Sequence, residues 1–217
     1  MSTIGVILAG CGNIDGAEIH ESVLTLLYLA QAGAKTRIYA PDVSFEAVNF
    51  LTKKPMGERR GVLVEAARIA RSNIKDVATA KGADLDALIL PGGNGVAKNL
   101  CDFAARGAGG SAHPEVARLI REVHDAGRPV GAICIAPVVL ALVLGAKKPR
   151  LTIGNDMGTA QAIEKTGAVH VNCPVDDIVV DERLNLVTTP AYMLGPGIAD
   201  VAKGIEKFVV EIVRRAG

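Results

Sequence analysis

Cys134 stands where a short apolar strand should turn directly into a helix. In the stretch R-P-V-G-A-I-C-I-A-P-V-V-L-A-L-V-L-G, Val130 to Ile133 has the content of a buried strand, and Pro137 opens an apolar run ended by Gly145. A nucleophile on such a junction presses together the residues two before and two after it, so both must be small. Here they are Ala132 and Ala136. The spacing fits a nucleophile elbow carrying sulfur, although an ordinary buried cysteine shares this local signature. A thiol is a useful nucleophile only as thiolate, and the unpaired N–H groups and positive dipole end of a helix N-terminus are expected to lower its pKa.

Two further kinds of group are needed beside it. An oxyanion formed at the thiol requires preorganised donors, and the backbone N–H groups of Ile135 in the elbow and of Gly93 in the turn P-G-G-N-G are placed to supply them. That turn is no phosphate loop, since no lysine and Ser/Thr follow at the required spacing. A proton carrier is offered by D-G-A-E-I-H-E, which holds Glu18, His20 and Glu21. The two glutamates are three apart on one side of a helix start, where acids are also favoured electrostatically, and periodicity does not decide between them. His113 precedes Pro114 at a helix start, His124 lies late in the same helix and His170 sits in a strand-like stretch, so none carries the local signature of a Cys–His dyad.

The elements that must position these groups alternate. Strands are expected at Thr3 to Leu8, Lys35 to Ala40, Asp84 to Leu90, Val130 to Ile133, Arg150 to Ile153, near Val169, at Ile178 to Val180 and at Leu186 to Thr189. Helices are expected at Ala17 to Ala32, Val62 to Arg71, Val96 to Ala105, Pro114 to Ala126, Pro137 to Gly145, Gly158 to Thr166 and Gly197 to Arg215. In the first helix Ile19, Val23, Leu26, Leu27 and Ala30 keep one stripe, expected to face the core, while Leu24, Tyr28 and Leu29 lie off it and suggest cover by another subunit. Strands alternating with helices indicate an α/β sandwich with a mainly parallel sheet, in which ligands bind beyond the carboxyl ends of the strands. The turns at Gly10 to Gly16, Pro91 to Gly95 and Cys134 would share that edge, with Cys11 among them. Residues 41–82 look like an insertion, and their basic cluster, Lys53, Lys54, Arg59 and Arg60, suits a solvated face.

The 217 residues suit one domain, and 49% hydrophobic content with a net charge of +1 gives no global basic excess to attract nucleic acid. The N-terminal M-S-T-I-G-V-I-L-A-G lacks a basic leader, and its apolar run falls short of the ~20 residues that cross a membrane, so a first strand of a cytoplasmic protein is expected. Cys11, Cys101, Cys134 and Cys173 are far apart with no C-x-x-C pair, which indicates reduced thiols and no metal site.

Taken together, G-A-I-C-I-A-P, L-P-G-G-N-G and G-A-E-I-H-E resemble the PfpI-like branch of the class I glutamine-amidotransferase-like superfamily. Longer stretches, I-G-V-I-L-A-G-C-G-N-I-D-G-A-E-I-H-E, L-T-I-G-N-D, C-P-V-D-D-I-V-V-D-E and V-T-T-P-A-Y-M-L, resemble its ElbB family, described as glyoxalase-like or isoprenoid-biosynthesis-associated. The resemblance implies a flavodoxin-like three-layer sandwich, a homodimer, Cys134 as nucleophile, Glu21 as the acid/base and Gly93 in the oxyanion turn. It also implies a departure. Where the wider superfamily has a histidine after the elbow, this chain has Gly154-Asn155-Asp156. Glu21 would then act alone or with Asp156 or His20, and glutaminase chemistry is disfavoured. The implied activity is a cofactor-independent conversion of glyoxal-like dicarbonyls to hydroxy acids, with a redox-sensing or metabolite-binding regulator linked to isoprenoid metabolism as the alternative.

Overall fold

The computed structural model describes residues 1–217. Its elements run β1 (Thr3–Ile7), α1 (Ile19–Gln31), β2 (Lys35–Ala40), β3 (Ser44–Asn49), β4 (Lys54–Gly61), α2 (Val62–Ile69), β5 (Lys75–Asp76), β6 (Ala87–Leu90), α3 (Phe103–Arg106), α4 (Pro114–Asp125), β7 (Val130–Ile133), α5 (Pro137–Leu144), β8 (Arg150–Leu151), α6 (Met157–Glu164), β9 (Val169–His170), β10 (Val179–Asp181), β11 (Leu186–Thr189) and α7 (Ile198–Arg215). Seven strands form one sheet in the order β10-β11-β7-β6-β1-β2-β5, every pair parallel except β10 with β11. From β1 the chain winds outward through β2, then returns to β6 and winds the other way to β7. Right-handed crossovers therefore place α1 and α4 on opposite faces, with α7 against α1 and α5 against α4. The expected mainly parallel, flavodoxin-like α/β sandwich is what forms.

Several local expectations are corrected. The stretch from Val96 to Ala105 is a five-residue π turn, Val96–Leu100, followed by the single-turn α3. Arg150 to Ile153 contributes only β8, which pairs with β9 in a separate two-stranded sheet. Within the 41–82 segment an antiparallel hairpin, β3 with β4, carries the basic cluster in solvent, and β5 then joins the edge of the main sheet. No helix is long and apolar enough to cross a membrane.

The largest correction concerns α1. Ile19, Val23 and Leu27, expected inside, are 43%, 48% and 45% exposed, and Ala30 is exposed with them. The buried residues are Glu21, Ser22, Thr25 and Leu29. Burial of that polar face costs little because its hydroxyls bond the preceding turn: Ser22 Oγ donates to the Glu18 carbonyl at 2.6 Å and Thr25 Oγ1 to that of Glu21 at 2.7 Å. The helix also starts two residues later than expected, with Glu18 as its cap accepting the Glu21 N–H at 2.7 Å.

Candidate active site

Four connections converge beyond the carboxyl ends of β1, β6, β7 and β11. After β7 the chain reverses at Cys134, which has φ of +62°, a left-handed conformation that a side chain tolerates only where its surroundings enforce it. The enforcement is visible. The Cys134 N–H donates to the Thr189 carbonyl at 2.9 Å, the Ala136 N–H to that of Ile133 at 2.9 Å, and Ala132 and Ala136 are fully buried. α5 follows with Pro137 in its first turn and almost no exposed surface. This is the strand–turn–helix elbow expected for residues 130–145.

The loops after β1 and β6 interlock beside it. The Glu18 N–H donates to the Gly92 carbonyl at 2.8 Å, the Asn94 N–H to that of Asn13 at 2.8 Å, and the Gly95 N–H to that of Gly16 at 3.0 Å. Two glycines make this possible. A Cβ on Gly92 would lie 2.4 Å from Cys134 Cβ and 2.5 Å from Glu21 Oε2, so only a bare α-carbon fits between thiol and carboxyl. Gly93 has φ of +103°, and a Cβ there would strike the Glu18 nitrogen at 2.4 Å.

Glu21 is completely buried at this junction. Its Oε2 accepts the Gly92 N–H at 2.9 Å and its Oε1 the Tyr192 N–H at 3.2 Å. Burial, with the nearby charge of Glu18, pushes its pKa up to about 8, against the opposing hydrogen bonds from Tyr192, Cys134 and Gly92. At neutral pH it is therefore mainly a carboxylic acid beside a sulfur. Cys134 is 7% exposed, and burial together with the Glu21 carboxylate holds its thiol well above the ordinary range, while the N–H groups of Gly93 and Ile135 act on the sulfur in the opposite sense. The expectation of a lowered thiol pKa is thus overturned. The helix terminus is present, but desolvation and a carboxyl neighbour outweigh it.

The remaining candidates separate clearly. The N–H groups of Gly93 and Ile135 favour the ionised Cys134 sulfur, against its burial. Glu18 caps α1 and faces Glu21 electrostatically. His20 is exposed next to Glu21, its Nδ1 lying 2.7 Å from the Tyr192 hydroxyl. Asp156 is exposed and caps α6 by accepting the Thr159 N–H at 2.8 Å, a role that accounts for it without the thiol. Cys11 is half-buried, and its thiol is raised by burial, by Glu65 of α2 and by Asp15 of its own loop, with Arg68 acting in the opposite sense. The other histidines lie elsewhere: His113 stands at the N-cap position of α4 without a side-chain bond there, its buried Nδ1 unpartnered, His124 Nδ1 lies 3.0 Å from Asp125, and His170 Nε2 accepts the Ile153 N–H at 3.3 Å. Tyr192 is the residue that sequence reasoning missed. Its only signal was membership of V-T-T-P-A-Y-M-L, since nothing local reveals a backbone N–H aimed at a carboxyl 171 residues away.

Residues 11–193 match the model described as the DJ-1/PfpI family. A human protein named glutamine amidotransferase-like class 1 domain-containing protein 3, mitochondrial, is 40% identical over 99% of this chain and 83% of its own length. The zebrafish ES1 protein, mitochondrial, is 27% identical over 88% of this chain and 77% of its own. Among solved structures, an isoprenoid biosynthesis protein with an amidotransferase-like domain from Ehrlichia chaffeensis aligns at 35% identity and a TM-score of 0.90, covering 98% of this chain and 99% of that one. Drosophila melanogaster DJ-1beta aligns at 25% identity and a TM-score of 0.56, covering 100% and 96%. The mitochondrial names of these curated relatives overturn the expectation of a cytoplasmic protein.

Proposed function

The chain belongs to the DJ-1/PfpI family, whose members include glyoxalase-like and regulatory proteins, and on that premise we propose that it is an ElbB-like, cofactor-independent glyoxalase. The observation that carries this reading is a completely buried carboxyl, its pKa pushed up to about 8, set beside a buried thiol with only the bare α-carbon of Gly92 between them. Such a pair holds its own proton, so the reaction needs no histidine and no cofactor. Limited access to Cys134 favours a small electrophile.

In the fraction of molecules with Glu21 ionised, the carboxylate takes the Cys134 thiol proton as the sulfur attacks one aldehyde of glyoxal. It passes that proton to the new oxyanion, giving a hemithioacetal and leaving Glu21 a carboxylate again. Glu21 then removes the hydrogen from the carbon now bound to sulfur and returns it to the neighbouring carbon, while the hydroxyl proton of the hemithioacetal passes to the neighbouring oxygen. That shift converts the adduct to the thioester of glycolate. Water then cleaves the carbon–sulfur bond, releasing glycolic acid and regenerating the thiol. The Gly93 and Ile135 N–H groups would stabilise the oxyanions of both addition steps.

The family resemblance implies a homodimer, and we further propose that the exposed Ile19, Val23 and Leu27 are the residues a second copy of the chain covers. The relatives' names favour a mitochondrial setting. A regulator that works by oxidation of an exposed, low-pKa thiolate is less well supported, because Cys134 is neither. The test is conversion of glyoxal to glycolate by wild type, Cys134→Ser and Glu21→Gln. Glu21→Gln should lower kcat by about 10²–10⁴ and Cys134→Ser should abolish turnover. A Cys134→Ser protein working at the wild-type rate would overturn the proposal.

A further inference from the structure

Tyr192 lies in a short turn, Ala191–Met193, between β11 and α7. Its backbone N–H reaches Glu21 Oε1 at 3.2 Å, the longer of the two backbone bonds that hold the carboxyl. The turn is not relaxed, since Ala191 has φ of +42°. It is closed internally by the Met193 N–H on the Pro190 carbonyl at 3.0 Å and the Leu194 N–H on that of Ala191 at 3.1 Å. Outward of Glu21, the Tyr192 hydroxyl lies 2.7 Å from His20 Nδ1, and the two rings are 5.7 Å apart at 45°. His20 adjoins Glu21 in the first turn of α1. One side-chain bond thus spans the two segments whose relative position sets the bond from Tyr192 to Glu21.

We propose that His20 and Tyr192 are positioning residues: their mutual hydrogen bond clasps the turn after β11 to the start of α1 and keeps the Tyr192 N–H on Glu21, which aims the carboxyl at Cys134. This rests on Glu21 as the proton carrier of the proposed reaction. The titratable groups facing Glu21 are Glu18 from the cap, Cys134 from the elbow and Tyr192 from the turn, with His20 beside it on α1; the loop after β6 contributes backbone N–H alone. Breaking the clasp removes a donor that favours the ionised carboxyl, so Glu21 should keep its proton to higher pH.

The experiment follows the protonated carboxyl band of Glu21 by infrared spectroscopy across pH, with Glu21→Gln as the subtraction reference, in wild type, His20→Phe, Tyr192→Phe and His20→Asn. The two phenylalanine variants should raise the midpoint by about one unit, the size of one hydrogen bond to a charged group. His20→Asn, which puts an amide near the place of Nδ1, should keep the wild-type midpoint. In glyoxal turnover the phenylalanine variants should lower kcat about tenfold with KM unchanged. If His20→Phe does not fold, Tyr192→Phe, which deletes one oxygen, decides alone. An unchanged midpoint in the folded phenylalanine variants, or a shift in His20→Asn equal to theirs, would overturn the proposal. The infrared midpoint is read without turnover, so failure of the glyoxalase proposal would be seen separately as wild type inactive on glyoxal.

Discussion

On α1 the face turned to the sheet carries Glu21, Ser22 and Thr25, while the face turned to solvent carries Ile19, Val23 and Leu27. An ordinary surface helix has these reversed. The inner face is tolerable because each polar group is satisfied at close range, the hydroxyls by carbonyls of their own helix and the carboxyl by two backbone N–H groups from other segments. The outer face has no comparable satisfaction within the chain. What the contrast teaches is that one side of α1 buries satisfied polar groups while the other leaves apolar side chains in solvent.

The largest expected effect tests the inner face. Glu21 binds a proton in the folded protein up to about pH 8 but only to about 4.5 when unfolded. A folded-state pKa raised in this way gives stability that is fully present below pH 4.5 and is lost as pH rises to 8. Within that window the contribution should fall by about 1.4 kcal/mol per pH unit, then level off. Urea unfolding of wild type and Glu21→Gln at several pH values should show that slope in the difference between them. A flat difference would mean that the carboxyl is not held neutral.

A smaller effect probes how closely the face is packed. Gly92→Ala forces a methyl between Cys134 and Glu21, and overpacking of this kind costs about 1–3 kcal/mol. Unfolding in urea would measure that loss, and turnover should fall with it because thiol and carboxyl are pushed apart. The smallest effect on the single chain belongs to the outer face. Val23→Ser with Leu27→Ser should change the unfolding free energy of the monomer by only about 0.5 kcal/mol, yet should move the protein from dimer to monomer in sedimentation analysis. Wild type that is already monomeric would remove the reason for the exposed stripe.

The sequence disclosed the site unevenly. Cys134 was legible because an elbow needs small residues at two fixed offsets, and Ala132 and Ala136 occupy them. The sheet was legible because its strands are short apolar runs punctuated by glycine and proline. The orientation of α1 was not, since periodicity assumes that apolar residues face inward and here the buried, backbone-satisfied Glu21 lies on the inner side. The hairpin of β3 and β4 escaped notice because β4 is largely polar and E-R-R-G carries no alternation, although β3 buries Phe45 and Ala47 in alternation. The pKa of Cys134 was misjudged for a related reason: the helix terminus is a local feature, whereas the carboxyl that outweighs it arrives from far away along the chain.

That distance bears on folding. Glu21 meets Gly92 across 71 residues and Tyr192 across 171, so the carboxyl reaches its final setting only after the two ends of the chain have come together. Contacts of such long range carry a large loop-closure cost and belong to the late part of assembly. A nascent or partly unfolded chain therefore bears an ordinary exposed cysteine at 134, and only the finished molecule couples it to an acid. The rate at which a thiol reagent labels Cys134 would thus serve as a clock for the last stage of folding, slowing when the N-terminal helix and the C-terminal turn close over it.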